Sequence, residues 1–217
     1  MKTEDLNTWI LLPIEDFCCL ISLYFFQRLK KKGLVLIPIL MGVVVLSETV
    51  GLLIQKHIIT SFGKSGNWFN IMVPVQLVCI FLLFYANTKK IYWRITVLTF
   101  CFITIFLTIL FFNVFKTNNF NTFNYIIEAI LVAACCLNYF IESMNSQTIV
   151  NINRDALLYF SLGTLLFYLG ALPLHSMRNY LYHHHRNIFN FYDSLVFILN
   201  CVMYSMISFG ILWMRKK

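Results

Sequence analysis

The chain has 217 residues, 59% of them apolar and only 12% charged, with a net charge of +8. Water-soluble domains carry about 45–50% apolar and about 25% charged residues, so a soluble enzyme domain and a disordered chain are both excluded. A mean hydropathy of +0.75 and 22 phenylalanines leave a polytopic membrane protein.

A bilayer core of about 30 Å takes roughly 20 apolar residues per helix. In chain order, seven such stretches lie between polar breaks, at approximately 8–27, 34–55, 67–86, 95–114, 122–142, 156–177 and 191–213. They predict an all-α fold, a single bundle of seven transmembrane helices over residues 1–217 with short loops and no soluble domain. Only helices satisfy their own backbone groups in lipid without closing a barrel. The first stretch is expected to stay as a span: Glu4 and Asp5 precede it, and no small-residue cleavage site follows.

Arg28, Lys30, Lys31, Lys32, Lys89, Lys90, Arg94, Arg154, Arg215, Lys216 and Lys217 fall on one side of this arrangement. Lys2, Lys56, Lys64, Lys116, Arg178 and Arg186 fall on the other. The positive-inside bias then puts the N-terminus outside and the C-terminus in the cytoplasm of a bacterial inner membrane. Trp9 and Trp68 at outer helix ends, with Trp93 and Trp213 at inner ends, fit an aromatic belt. The basic excess therefore reads as an orientation signal and a contact for anionic lipid, not as a nucleic-acid site. The inner loops and basic tail are the surface offered to a cytoplasmic protein partner.

Seven cysteines, Cys18, Cys19, Cys79, Cys101, Cys135, Cys136 and Cys201, all fall within predicted spans and form no C-x-x-C pair. That is the pattern of small packing residues, not of a disulfide framework or a zinc cluster. Gly63-Lys64-Ser65 lacks the partner glycine of a phosphate-binding loop, since position 58 is Ile58.

Polar residues inside the spans are the informative exceptions, because ionisable groups there face the bundle interior or a wet cavity. In the fifth span Asn121, Asn124, Glu128, Cys135, Asn138 and Glu142 recur on one helical face. Ser161, Thr164, Tyr168 and His175 do so in the sixth, and Asp193, Asn200, Tyr204 and Ser208 in the seventh. Glu48 and Gln55 share a face in the second, and Asn67 and Asn70 open the third. At 1.5 Å per residue, Glu48 lies about 10–12 Å and Glu128 about 9–10 Å below the outer surface. Asp193 and His175 come within a turn or so of it. The expected site is thus an outer polar pocket built from Glu48, Asn70, Glu128, Tyr168 and Asp193, binding a small ligand or cation. The plainer alternative makes Glu48 and Glu128 protonated hydrogen-bonding glue between helices. Glu15 and Asp16, following Pro13, read as ordinary acids of a helix N-terminus. His183, His184 and His185 read as an exposed loop run. The alternative reading joins His175, His183, His185 and Asp193 around a zinc ion, with no other cofactor expected.

The stretches Ser47-Glu48-Thr49-Val50-Gly51, Asn67-Trp68-Phe69-Asn70 and Phe120-Asn121-Thr122-Phe123-Asn124 leading to Glu128-Ala129 resemble a family of small seven-helix membrane proteins of Bacteroidota-type bacteria. The closing Gly210-Ile211-Leu212-Trp213-Met214 before a basic tail is similar as well. The resemblance implies seven spans and adds weight to Glu48, Asn70 and Glu128, but implies no activity. Members carry a histidine early in the seventh helix, where this chain has Asp193. A more distant similarity, to seven-helix zinc hydrolases of the alkaline ceramidase type, fails on the histidines: only His175 falls within a span.

Three functional expectations follow. The first is a non-enzymatic sensor or membrane adaptor that passes occupancy of the outer pocket to a cytoplasmic partner. The second is a metal-dependent hydrolase acting on lipid or amide bonds at the outer leaflet, with Glu128 as base. The third is a proton- or ion-coupled transporter or pore using the stripe from Asn121 to Glu142, or an accessory of a bacterial defence system.

Overall fold

The computed structural model describes residues 10–59, 65–114, 121–145 and 155–214. Within them the chain forms eight α-helices: α1 Leu12–Tyr24, α2 Phe26–Lys31, α3 Leu36–Gln55, α4 Ser65–Asn87, α5 Ile91–Val114, α6 Thr122–Met144, α7 Ala156–His184 and α8 Arg186–Trp213. Six of these, α3 to α8, are long and apolar enough to cross a membrane, with mean hydropathy between 1.7 and 2.6. The protein is a multi-pass helical membrane protein.

The first predicted span is built differently from the rest. α1 has 13 residues, about 20 Å of helix, which alone falls short of a bilayer core. At Phe25 (φ −90°, ψ 12°) the helix falters, then resumes as the six-residue α2. The hydrogen-bond ladder runs through the fault: Phe25 N–H donates to Ile21 at 3.0 Å and Leu29 N–H to Phe25 at 3.0 Å. The Arg28 guanidinium lies over the Phe25 ring at 4.7 Å, at the basic end of the bundle.

The other deviation is at the opposite end. Residues 178–190, expected as a loop, are almost entirely helical. α7 runs on to His184, and α8 begins at Arg186 with His185 alone between them (φ −139°, ψ 67°). Apolarity ends near residue 177, but nothing stops the helix: no Gly or Pro occurs between Leu174 and Phe209, and helical hydrogen bonds are indifferent to side-chain polarity. His184 and His185 are therefore parts of a tight helix–helix corner. The side chain of His183 lies outside the described residues, as do Trp9, Lys64, Arg154 and the tail 215–217.

The packing closes a ring. α1 packs on α3 and α8, α3 on α4, α4 on α6, α6 on α7, and α7 on α8. α5 lies outside, against α4 and α6; 17% of its apolar stretch is buried, against 44% for α3 and α7. Glycines bring α7 and α8 close together. A Cβ at Gly163 would sit 3.1 Å from the Met203 carbonyl oxygen, and one at Gly170 would stand 2.7 Å from Leu199. Small residues of this kind let membrane helices pack backbone to backbone. Trp68, expected in the lipid-facing belt, is instead 7% exposed. Its indole N–H donates to the Ser47 carbonyl at 2.9 Å, tying α4 to α3; a buried indole needs such an acceptor. Trp213 does face outward. All seven cysteines are free thiols, several of them buried as packing residues.

Gly163→Leu is expected to lower the thermal unfolding midpoint of the purified protein by the equivalent of about 1–3 kcal/mol, because its neighbour is backbone and cannot give way. Gly42→Ala, whose Cβ would meet nothing within 4 Å, should leave the midpoint unchanged or raise it by about 0.5–1 kcal/mol. Equal midpoints for the two variants would contradict the seam.

Candidate ligand-binding site

The helix ring encloses a cavity of about 540 Å³. It reaches from Gln55, Gly66, Leu181 and Arg186 at the end carrying the histidines to Leu40, Ile80 and Ile207 toward the basic end. Five helices supply its polar wall: Glu15 from α1, Glu48 and Gln55 from α3, Gln76 from α4, Thr164, Tyr168 and His175 from α7, and Asp193, Asn200 and Tyr204 from α8. Between them stand Met41, Val44, Phe160, Phe167 and Met203. Part of the sequence-predicted site is thus assembled: Glu48, Tyr168, His175 and Asp193 share this wall.

Glu15, expected as an ordinary acid of a helix N-terminus, belongs to this wall instead. It lies on the buried face of α1 with Cys18 and Ser22, three and seven positions along, which is helical same-face spacing. That register is the signal for it in the sequence. Asp16, one residue on, is turned away and does not line the cavity. Glu15 is 2% exposed, and its Oε2 has no hydrogen-bond partner. The Tyr204 hydroxyl is within hydrogen-bonding reach of it, and the charges bearing on it come from Glu48 and Asp16, both of the same sign. Tyr204 also feels Glu48, so α1, α3 and α8 bring two carboxyls and a phenol together. Thr164, 1% exposed, likewise has an unpartnered Oγ1.

Asn70 and Glu128 are not on this wall. They line a separate space of about 20 Å³ with Pro74, Thr108, Asn121 and Asn124, enough for about one water molecule. Tyr125 borders both spaces. Its ring stacks on Tyr168 with centroids 6.0 Å apart and meets the His175 ring at 4.2 Å, forming an aromatic cluster. Glu128, 1% exposed, lines the smaller space with Oε1 unpartnered. Asn70 plays a structural part. Its Oδ1 accepts from the Asn121 N–H at 3.0 Å, while Asn121 Oδ1 accepts from the Asn124 N–H at 3.2 Å. α4 thereby caps the N-terminus of α6, where helical N–H groups have no intrahelical acceptor.

The polar stripe on α6 does face inward, but its ends serve neighbouring backbone. Asn121 caps, and Glu142 Oε2 accepts from the Lys89 N–H at 3.2 Å. Tyr139 donates to Asp155, which also caps α7 by accepting from the Leu157 N–H at 3.0 Å. These bonds pin α6 and α7 at the basic end, and spacing along the chain does not single them out.

Among the described residues, no group of three or more His, Cys, Asp or Glu stands close enough to hold a metal ion. The continuation of α7 gives the reason. His175 and His184 are nine residues apart in one helix, about 14 Å along its axis. His184 and His185 are exposed, their rings tilted against Tyr180 with centroids at 4.9 and 5.9 Å.

Asn70→Ala is expected to destabilise the protein by about 1–3 kcal/mol, since it strips a buried N–H of its acceptor. The thermal midpoint of the purified variant measures this, and faster amide exchange confined to the first turn of α6 would locate it. The chain matches no known protein-family model, no curated protein and no solved structure.

Proposed function

We propose that this protein is a non-enzymatic membrane sensor or adaptor of the bacterial inner membrane, with the cavity among α1, α3, α4, α7 and α8 as its ligand site. The observation that carries this reading is the cavity itself: about 540 Å³, within the range of small-molecule pockets. Its wall combines apolar side chains with polar atoms that have no partner, Glu15 Oε2 and Thr164 Oγ1. A buried polar atom left unpaired costs about 1–3 kcal/mol, which a bound polar group offsets. A guest touching both sides of the α7–α8 seam would bias its packing, and that seam runs to Gly210, against Tyr159, at the basic end. In this reading the basic end, with Lys30, Lys31, Lys89 and Lys90 exposed, is the face turned to a cytoplasmic protein partner.

α1 and α2 act together as the seventh span, with the N-terminus outside and the C-terminus in the cytoplasm. Support comes from the continuous hydrogen-bond ladder through Phe25 and from the basic residues gathered at one end. Tags at the two termini of the protein in intact spheroplasts should then differ: the N-terminal tag is cut by added protease and the C-terminal tag is protected. Equal accessibility would require an even number of spans.

Filling the cavity tests the site. Native mass spectrometry of gently purified protein is expected to find a retained small molecule. Thr164→Phe and Val44→Phe should each reduce its occupancy at least about tenfold, roughly 1.4 kcal/mol, while the protein still unfolds cooperatively. Folded variants that retain the molecule at wild-type occupancy would remove the cavity as the site.

A further inference from the structure

The chemistry of the cavity wall narrows the class of guest. Glu15 and Glu48 approach from different helices and act on each other electrostatically. Glu15 is 2% exposed and presents an unpartnered Oε2. The charge that bears on it is acidic throughout, from Glu48 and Asp16. Two carboxyls placed this way are complementary to one positive group. The space around them is far larger than a bare ion needs and is walled in good part by Met41, Val44, Phe160 and Met203. An inorganic cation would leave that apolar wall uncovered, and two carboxyls alone are a sparse ligand set for a divalent ion, which takes six or more oxygens in the case of calcium. A primary ammonium fits the polar end: its three N–H donors can serve Glu15, Glu48 and a neighbouring oxygen such as the Tyr204 hydroxyl. An attached hydrocarbon body fits the rest. Arg186 and Asp193, seven residues apart on one face of α8, also line the cavity and carry opposite charges.

We infer that the cavity binds an amphiphilic primary amine, its ammonium held between Glu15 and Glu48 and its apolar body against the α3, α7 and α8 walls. This rests on the ligand-site reading above and specifies it. The ammonium has two available sources, a free alkylamine and the ethanolamine headgroup of a phospholipid; both present the same donor to the same carboxyls.

The test uses the full chain in nanodiscs of phosphatidylglycerol, with n-octylamine as the probe and n-octanol as its neutral counterpart. Binding is followed by saturation-transfer NMR against empty nanodiscs. Octylamine should bind saturably at one site, octanol at least tenfold more weakly. Glu15→Gln and Glu48→Gln, which keep shape and hydrogen-bonding capacity, should each weaken octylamine at least tenfold and leave octanol unchanged. Replacing part of the lipid by phosphatidylethanolamine decides the source: competition with octylamine assigns the site to the lipid headgroup, and its absence to a free amine. Equal binding of octanol and octylamine, unaffected by either Gln variant, would overturn the amine inference while leaving the cavity as a ligand site. Displacement of octylamine by millimolar sodium or calcium, but not by potassium, would overturn it in favour of an inorganic cation. If neither probe binds and Thr164→Phe changes nothing, the ligand-site reading itself fails.

Discussion

A polar group carried into an apolar bundle has nowhere to turn but inward, because lipid supplies no hydrogen bonds. The whole structure follows from that restriction. Six helices arranged as a ring, with α1 bridging α3 and α8, give their polar faces a common interior. α5, whose stretch has the highest mean hydropathy at 2.6, has little polar to hide and stays outside the ring. Close approach at Gly163 and Gly170 packs α7 against α8, and polar side chains of both helices line the cavity.

Within the ring several polar groups have a structural partner. At the margins they serve backbone: Asn70 caps α6 from α4, Glu142 accepts the Lys89 N–H, Asp155 caps α7 while taking the Tyr139 hydroxyl, and Trp68 reaches the Ser47 carbonyl. Each satisfies a donor at or near a helix end or in a side chain. Other polar groups stand against cavities. Glu15, Thr164 and Glu128 each keep an unpartnered oxygen, and each borders an open space. Glu128 borders a space of about 20 Å³ and Glu15 with Glu48 one of about 540 Å³, and Tyr125, whose ring stacks on Tyr168, lines both. Acids that look alike by depth are thus given different surroundings.

Much of this is legible along the chain. The stripes at 121–142, 161–175 and 193–208 are inward faces, and the long apolar helices fall close to the stretches that composition marks out. Periodicity reads such faces well because a helix repeats its geometry without reference to anything else. Glu15 shows the limit of periodicity: its register with Cys18 and Ser22 is visible, but two acids after a proline have an equally good local explanation. The corner at His185 shows another. Loss of apolarity suggests loss of helix, whereas α7 and α8 both continue past the apolar stretch because no residue there interrupts the backbone ladder. That continuation is what carries His184 and His185 away from His175.

Alone, the sequence determined the class of protein, the number of long apolar helices to within one, and which face of each is polar, since all of these are local consequences of side-chain transfer energies and the helical repeat. It could not determine which polar faces meet. Glu15 joins Glu48 and Tyr204, while Glu128, at nearly the same depth, lines a separate small space with Asn70 and Asn124, because helix order around the ring decides neighbourhood. Those are contacts between residues far apart in the chain, and no periodicity within one helix encodes them.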